Sequence, residues 1–290
     1  MSRRVHLLIG FVMPIAFSIT SVARPLLAVN LGLHKALLAI IPLASNVSQM
    51  MFRPFFGSLS DRKGRKMFIV SATLVYMIGY LIQVFARSAF DIVIASFITG
   101  LGVSMLWPCL MAYASEISKD VRSEISLLMT AAFSGSVLGF IFSGIVAEVF
   151  GWRTTFLISS NIALFAFIAS LLFLKESIQK KVKTPLARSL KESLRVAYKT
   201  TLNVNSIGLR PVINTYIPVI IVEGGFSQSI AGFVITGGSI VFTIMQRPSA
   251  IFSRSKWFSI FGINMVSLLV VISLGVSYEL NLIYLSIVFY

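Results

Sequence analysis

Ten residues between two apolar stretches decide the fold, and they read Gly57-Ser58-Leu59-Ser60-Asp61-Arg62-Lys63-Gly64-Arg65-Lys66. We interpret this segment as a tight turn between two helix ends, held in water by its four basic residues. Gly57 would let the helices approach closely, and Gly64 would adopt the positive φ that reverses the chain. Asp61 is the one acid of the segment, so we expect it to have a basic partner.

The composition around this segment is that of a membrane protein. Residues of the AVILMFWYC class make up 57% of the 290 residues and charged residues 12%, against roughly 45–50% and about 25% in soluble proteins. A soluble fold of this length has no interior for so much apolar surface. The sequence has one cysteine, Cys109, and two histidines, His6 and His34, which excludes an internal disulfide and a histidine metal cluster. We expect no metal and no cofactor.

Apolar runs of the length that crosses a bilayer, about 20 residues, recur along the chain. They cover residues 5–32, 36–59, 67–86, 90–115, 125–150, 153–174, 204–224, 229–252 and 257–277. A tenth run begins near Leu280 and reaches Tyr290, about half the length of a span. We therefore predict an all-α integral membrane protein with about nine full transmembrane helices and part of a tenth.

The positive charges indicate how these spans are oriented. With the N-terminus in the cytoplasm, the cytoplasmic segments hold 18 Lys and Arg and the external loops hold three, a strong positive-inside bias. This bias accounts for the net charge of +15, so we expect no nucleic-acid partner. A cleaved signal peptide ending near Ala23 is the alternative interpretation of the N-terminus, but its apolar run is long and contains Pro14.

One long polar segment divides the chain. We predict a six-helix transmembrane bundle over residues 1–175, a basic cytoplasmic linker over 176–203 and an incomplete bundle over 204–290. Leucines at helical spacing follow Thr184 and Pro185 in the linker, which favours a basic amphipathic helix on the membrane surface. A solvated linker with some helix is the alternative.

The ten-residue segment resembles the signature of the major facilitator superfamily. That signature is G-x-L-x-D-R-x-G-R-K/R in the loop after the second span, and every consensus position matches. Residues 150–153, Phe-Gly-Trp-Arg, resemble the family's entry to the sixth span. Residues 51–54 and 245–248 share three of four identities 194 residues apart, which fits a six-helix repeat. The resemblance implies the superfamily fold, with a complete N-terminal bundle and an incomplete C-terminal bundle.

The resemblance also implies a role for the motif. In relatives its aspartate and second arginine form a charge network with an acid of the fourth span, here Asp61, Arg65 and Glu116. A network that forms in one state and breaks in the other would gate the cytoplasmic mouth. The predicted gating and motif residues are Gly57, Asp61, Arg62, Gly64, Arg65 and Glu116.

The predicted fifth span carries a stripe of small residues that includes Gly135, Gly139 and Gly144. Such a stripe lets a neighbouring helix pack closely. Antiporters of the family have a Gly-Pro motif here, but Phe140 replaces the proline, so the motif does not support antiport.

Polar residues inside the spans are the candidates for contacts with a substrate or a coupling ion. Arg24 is an intramembrane charge on the first span, which lines the cavity in relatives, so it could hold an anionic group. A structural arginine that bonds backbone carbonyls or snorkels outward is the alternative. Further candidates are Gln49, Trp107, Asn214 and Tyr216. No Asp or Glu lies deep in a predicted span, which leaves proton coupling open, with Glu223 as the nearest candidate.

We predict secondary transport of a small organic solute by alternating access, in the plasma membrane and without enzymatic activity. The partners are the lipid bilayer, the solute and, in a coupled carrier, H+ or another ion. Because the sequence stops within the tenth run, we expect a C-terminally truncated transporter. The alternatives are a degenerate transporter without activity, a ten-helix drug/metabolite-type carrier and a membrane enzyme. The six-helix period disfavours the ten-helix carrier, and the lack of paired acids or a nucleophile motif disfavours the enzyme.

Overall fold

The computed structural model describes residues 4–177 and 211–252, with side chains described up to residue 240. A short 3-10 helix covers Lys35–Leu37, and no β-strand occurs in the described ranges. The α-helices are α1 (Val5–Ser18), α2 (Ala23–Asn30), α3 (Ile40–Lys63), α4 (Arg65–Phe85), α5 (Ala89–Ile117), α6 (Val121–Phe150), α7 (Trp152–Phe173), α8 (Pro211–Glu223) and α9 (Gln228–Phe252).

Six stretches of the described chain are long and apolar enough to cross a membrane, which confirms the predicted N-terminal spans and the all-α membrane class. α1 and α2 together form the first, and α3 to α7 lie in the other five. α8 is a shorter apolar helix, and α9 has 25 residues. The predicted spans from residue 257 onward, residues 204–210 and nearly all of the predicted linker lie outside the described residues.

Local sequence signals set the helix ends. Ser88 and Asp91 form a capping box at the start of α5, in which the Ser88 backbone N–H donates to Asp91 Oδ2 at 2.9 Å. The Asp120 carboxylate accepts from the Ser123 backbone N–H at 3.2 Å and caps α6. Gly151 is the single residue between α6 and α7, and its φ of 83° permits this sharp reversal.

The glycine stripe of α6 lies where other helices come closest. A Cβ on Gly135 would overlap the backbone oxygen of Phe11 in α1, and Gly139 faces α1 in the same way. A Cβ on Gly144 would lie 2.7 Å from Ser229 Cα in α9. The predicted close packing is confirmed, and one stripe serves two partners because α1 and α9 contact successive parts of α6.

Two apolar clusters hold the helices together. We call the end of the bundle that carries residues 57–66 the motif end, and the opposite end, with residues 31–39 and Gly151, the far end. The cluster nearer the motif end joins α1, α4, α5, α6 and α7. The other, nearer the far end, joins α2 to α8 and α9 through buried residues that include Leu26, Ile217 and Ile235. The described contacts between the six spans and α8–α9 thus concentrate toward the far end.

Candidate functional site

The motif contains the predicted tight turn between two helix ends, and most of its other residues are helical. α3 runs to Lys63 and α4 begins at Arg65, which leaves Gly64 alone between them with φ 112°. The predicted positive φ of Gly64 is confirmed. No described residue lies close to Gly57: α3 continues past it, and a Cβ there would meet no described atom within 4 Å, so the close approach at Gly57 stays a prediction.

Arg65 ties together three helices at the motif end. Its Nη2 bonds Glu116 Oε1 of α5 at 3.0 Å, and its Nε bonds the same oxygen at 3.1 Å. It also pairs with Asp61 of α3, and its Nη1 donates to Ser60 Oγ at 2.6 Å. Because the arginine is buried, these bonds replace the water that its charge has lost. The three residues predicted to form a network do lie together, whereas their gating role stays a prediction.

Glu176 is a member of this cluster that the sequence analysis missed. Its Oε1 accepts from the Arg65 backbone N–H at 2.8 Å, and its Oε2 accepts from that of Lys66 at 3.3 Å. A carboxylate is favourable there because the first N–H groups of α4 point toward it. Ser177 Oγ donates to the second carboxylate oxygen of Glu116. The only sequence signal was an isolated acid at the start of a basic stretch.

A cavity of about 440 Å³ lies between the six spans and α8–α9. Its size falls within the roughly 300–1,000 Å³ typical of small-molecule sites. Four of the predicted contact residues line it: Arg24, Gln49, Trp107 and Asn214. The rest of the lining is largely apolar and aromatic, with hydroxyl and amide groups from Ser45, Asn46, Ser136 and Ser239.

The first span is interrupted beside this cavity, between the end of α1 at Ser18 and the start of α2 at Ala23. Arg24 follows the interruption. Its Nε donates to Gln83 Oε1 at 3.0 Å, and its Nη2 donates to Thr20 Oγ1 at 2.7 Å. Interrupted spans at binding sites are a recurring feature of transporters. The alternative in which Arg24 bonds backbone carbonyls is not what the structure shows, since both acceptors are neutral side chains.

A row of hydrogen-bonded polar side chains, Ser45, Gln49 and Arg53, runs along α3 toward the same cavity. The Gln49 amide donates to Ser45 Oγ at 3.3 Å, and Arg53 donates to Gln49 Oε1 at 3.2 Å. The residues lie four apart on one helical face, as their spacing indicated. Gln49 is therefore oriented by its neighbours on both sides.

Two predicted contact residues do not line the cavity. The Tyr216 hydroxyl donates to the backbone oxygen of Ala36 at 3.1 Å, and Glu223 pairs with Lys35. Both contacts lie at the far end, because α8 ends beside the 31–39 loop. Hydropathy indicates the span that carries them, but it does not specify the faces of α8 on which they lie.

Polar bonds at the far end connect the six spans to α9. Trp152 Nε1 donates to Gln228 Oε1 at 3.0 Å. Glu148 Oε2 accepts from the backbone N–H of Ser229 at 2.9 Å and from its hydroxyl at 2.7 Å. With the close contact at Gly144 and the pair of Lys35 and Glu223, these bonds close the far end between the six spans and α8–α9.

In chemical terms the cavity offers one guanidinium, several amides and hydroxyls, and aromatic faces. No group of three or more His, Cys, Asp or Glu within the described residues could hold a metal ion. Such a surface suits reversible binding of an organic molecule. Gln83, which orients Arg24, was missed because it lies 59 positions away in the sequence, and Thr20 was missed although it lies four residues before Arg24.

Comparison with known proteins agrees with this architecture. The Major Facilitator Superfamily profile matches residues 7–290. Multidrug resistance protein MdtG of Enterobacter lignolyticus is 28% identical over 62% of this chain and 45% of its own length. Sialic acid transporter NanX of Escherichia coli is 29% identical over 44% of this chain and 32% of its own. The matches thus span less than half the length of these curated relatives.

Solved structures share the fold. The D-xylose-proton symporter superposes with a TM-score of 0.66 at 15% identity, covering 99% of this chain and 76% of the other. A bacterial homologue of the human lysosomal transporter Spinster, in an inward-facing and unoccupied conformation, gives 0.68 at 16% identity, covering 88% and 62%. At such identities the likeness shows the fold alone.

Proposed function

The chain belongs to the major facilitator superfamily, and from that premise we propose that it carries a small organic solute across a membrane by alternating access. It is a multi-pass membrane protein with several spanning helices. The observation that carries the proposal is the cavity between the six spans and α8–α9, because a carrier needs a site that two bundles can expose in turn.

The far-end contacts support a state of that cycle in which the cavity is closed toward the outside. If the positive-inside bias gives the orientation, the motif end faces the cytoplasm and the far end faces outward. The cavity is then closed toward the outside by the Trp152–Gln228 and Glu148–Ser229 bonds and by the tight packing at Gly144. Opening outward would require these contacts to break while the motif network holds the inner ends of α3, α4 and α5 together.

We place the carrier in the plasma membrane with a cytoplasmic N-terminus, on the charge distribution alone. The relatives named above are a multidrug resistance protein and a sialic acid transporter, so organic solutes are the class to test first. Glu223, the candidate for proton coupling that the sequence suggested, forms an ion pair with Lys35 at the far end. No Asp or Glu lines the described part of the cavity, so the proposal assigns no proton-binding group.

A two-sided labelling experiment tests the proposal. In a Cys109→Ala background, Ser136→Cys places one thiol in the cavity wall. A membrane-impermeant maleimide should label it from the outside of intact cells and from the cytoplasmic side of inverted vesicles. Gly57→Cys, at an open position of the motif end, is the control and should be labelled only in inverted vesicles. Labelling of Ser136→Cys from one side alone would contradict alternating access.

A further inference from the structure

We propose that Arg24 is an anion-recognition site and that the solute is an organic anion with an apolar body. The inference rests on the proposed function in calling the bound molecule a transported solute. The binding itself needs no transport and can be measured separately.

The charge balance of the cavity is the first argument. Arg24 is the one charged residue among the described residues that line it. The two hydrogen bonds of its side chain go to the neutral groups of Gln83 and Thr20, and its other polar neighbours, Tyr80 and Tyr76, are also neutral. No described carboxylate pairs with it. Among the described residues, the cavity wall therefore carries a positive charge that no carboxylate compensates.

Arg65 and Arg24 differ in the charge of their partners. Arg65, the buried arginine of the motif, bonds two carboxylates, Asp61 and Glu116. Arg65 lies at the start of α4, whereas Arg24 lies within the first span, where an unpaired cation is costly. Asp61 and Glu116 compensate the charge of Arg65, whereas the charge of Arg24 lies at the cavity wall. An anion that enters from water would supply the missing charge.

The donor geometry suits an oxyanion. A guanidinium has five N–H donors in a planar fork that matches a carboxylate or phosphate. Gln83 and Thr20 fix the Nε and Nη2 ends of the group, and the Phe17 ring lies 5.4 Å from its Cζ. The side chain is thus held in place, and donors remain for a ligand. A pre-oriented fork binds an oxyanion with less loss of side-chain entropy.

The other residues of the cavity wall indicate the chemistry of the rest of the ligand. Trp107, Phe133 and Phe140 line the cavity with apolar and aromatic surface, while Asn46 and Gln49 add neutral polar groups. A solute with one oxyanion and an aromatic or aliphatic body fits this lining. A polyanion does not, because a second negative charge would meet no second cation among the described lining residues.

Binding of matched probes tests the inference on the full-length chain in detergent. The probes are benzoate and 1-naphthoate, their neutral amides benzamide and 1-naphthamide, and 1-naphthylmethylamine as the cation, with affinities measured by equilibrium dialysis. We expect the carboxylates to bind at least about tenfold more tightly than their amides, which corresponds to about 1.4 kcal/mol. Equal affinity of acid and amide, or no saturable carboxylate binding, would overturn the inference.

Two substitutions of Gln83 separate charge from structure. Gln83→Glu places a carboxylate beside Arg24 Nε, where the amide oxygen now lies at 3.0 Å, and so supplies an internal counter-charge. The preference for carboxylate over amide should fall below about threefold. Gln83→Met removes the same hydrogen bond without adding charge and should keep the preference. If Gln83→Glu keeps the preference, or Gln83→Met abolishes it, the anion site is refuted.

Substitutions of Arg24 itself test the same preference for carboxylate over amide. Arg24→Gln should lose the preference, and Arg24→Lys should keep most of it, because a lysine retains the charge but not the fork. A chain that shows these preferences and fails two-sided labelling would overturn the proposed function alone. A chain that labels from both sides and prefers no anion would overturn this inference alone.

Discussion

Gly144→Ala should shift the carrier toward a state that is open at the far end. The new Cβ would lie 2.7 Å from Ser229 Cα and 2.8 Å from the Gln228 backbone carbon, whereas carbon atoms pack at about 3.5–4.0 Å. Both contacts are to backbone, so no side-chain rotation can relieve them. The Cβ would also overlap the Gln228 backbone oxygen, so α6 and α9 must separate by at least about 0.8 Å to restore ordinary contact.

That separation also weakens the bonds beside Gly144. The Glu148–Ser229 bonds of 2.9 and 2.7 Å and the Trp152–Gln228 bond of 3.0 Å would approach or exceed about 3.5 Å, where hydrogen bonds are largely lost. Overpacking typically costs about 1–3 kcal/mol, and here the cost falls only on the closed state. The ratio of open to closed chains should therefore rise about 5- to 150-fold.

The matched control is Gly237→Ala in α9, where a Cβ would meet nothing within 4 Å. Alanine favours a helix by about 1 kcal/mol over glycine at both positions, and this gain cancels between open and closed states. The assay is the rate at which an external impermeant maleimide labels Ser136→Cys in the Cys109→Ala background. A rate for Gly144→Ala within twofold of the control would refute the reasoning.

The remaining predictions concern the motif end. Asp61→Asn should impair cycling, seen as slower labelling of the cavity thiol from one side, while membrane insertion on a blot stays normal; unchanged labelling from both sides would contradict a gating role. Glu176→Gln should lower the melting temperature of the purified chain by less than Glu116→Gln, because an amide oxygen can still accept from the Arg65 backbone N–H. Gly57→Ala should leave melting and labelling unchanged, since a Cβ there meets no described atom within 4 Å, and a clear loss of stability would contradict this prediction.

Composition and periodicity predicted the class and the N-terminal spans because a membrane imposes length and polarity on every spanning helix. The same signals placed helix ends less well. The second span was predicted to end at residue 59, and α3 continues to Lys63. The four extra residues are polar and helical, and hydropathy records where lipid ends rather than where helical hydrogen bonding ends.

Contacts between distant segments were harder to predict than spans. The network of Asp61, Arg65 and Glu116 was accessible because the motif resembles a known family. The partnership of Arg24 and Gln83, separated by 59 positions, was not, since it depends on how α2 packs against α4. Tyr216 and Glu223 make their described contacts at the far end rather than in the cavity wall, because the sequence pattern of α8 does not specify which face meets the cavity.

The central claim is that the far end opens and closes around the cavity, and a distance measurement tests it most directly. In the Cys109→Ala background, Phe90→Cys and Ile230→Cys place spin labels on exposed far-end positions of α5 and α9. Pulsed electron paramagnetic resonance on the chain in lipid nanodiscs should show two distance populations, and Gly144→Ala should enlarge the longer one while Gly237→Ala leaves both unchanged. A single distance population that neither variant alters would contradict the account.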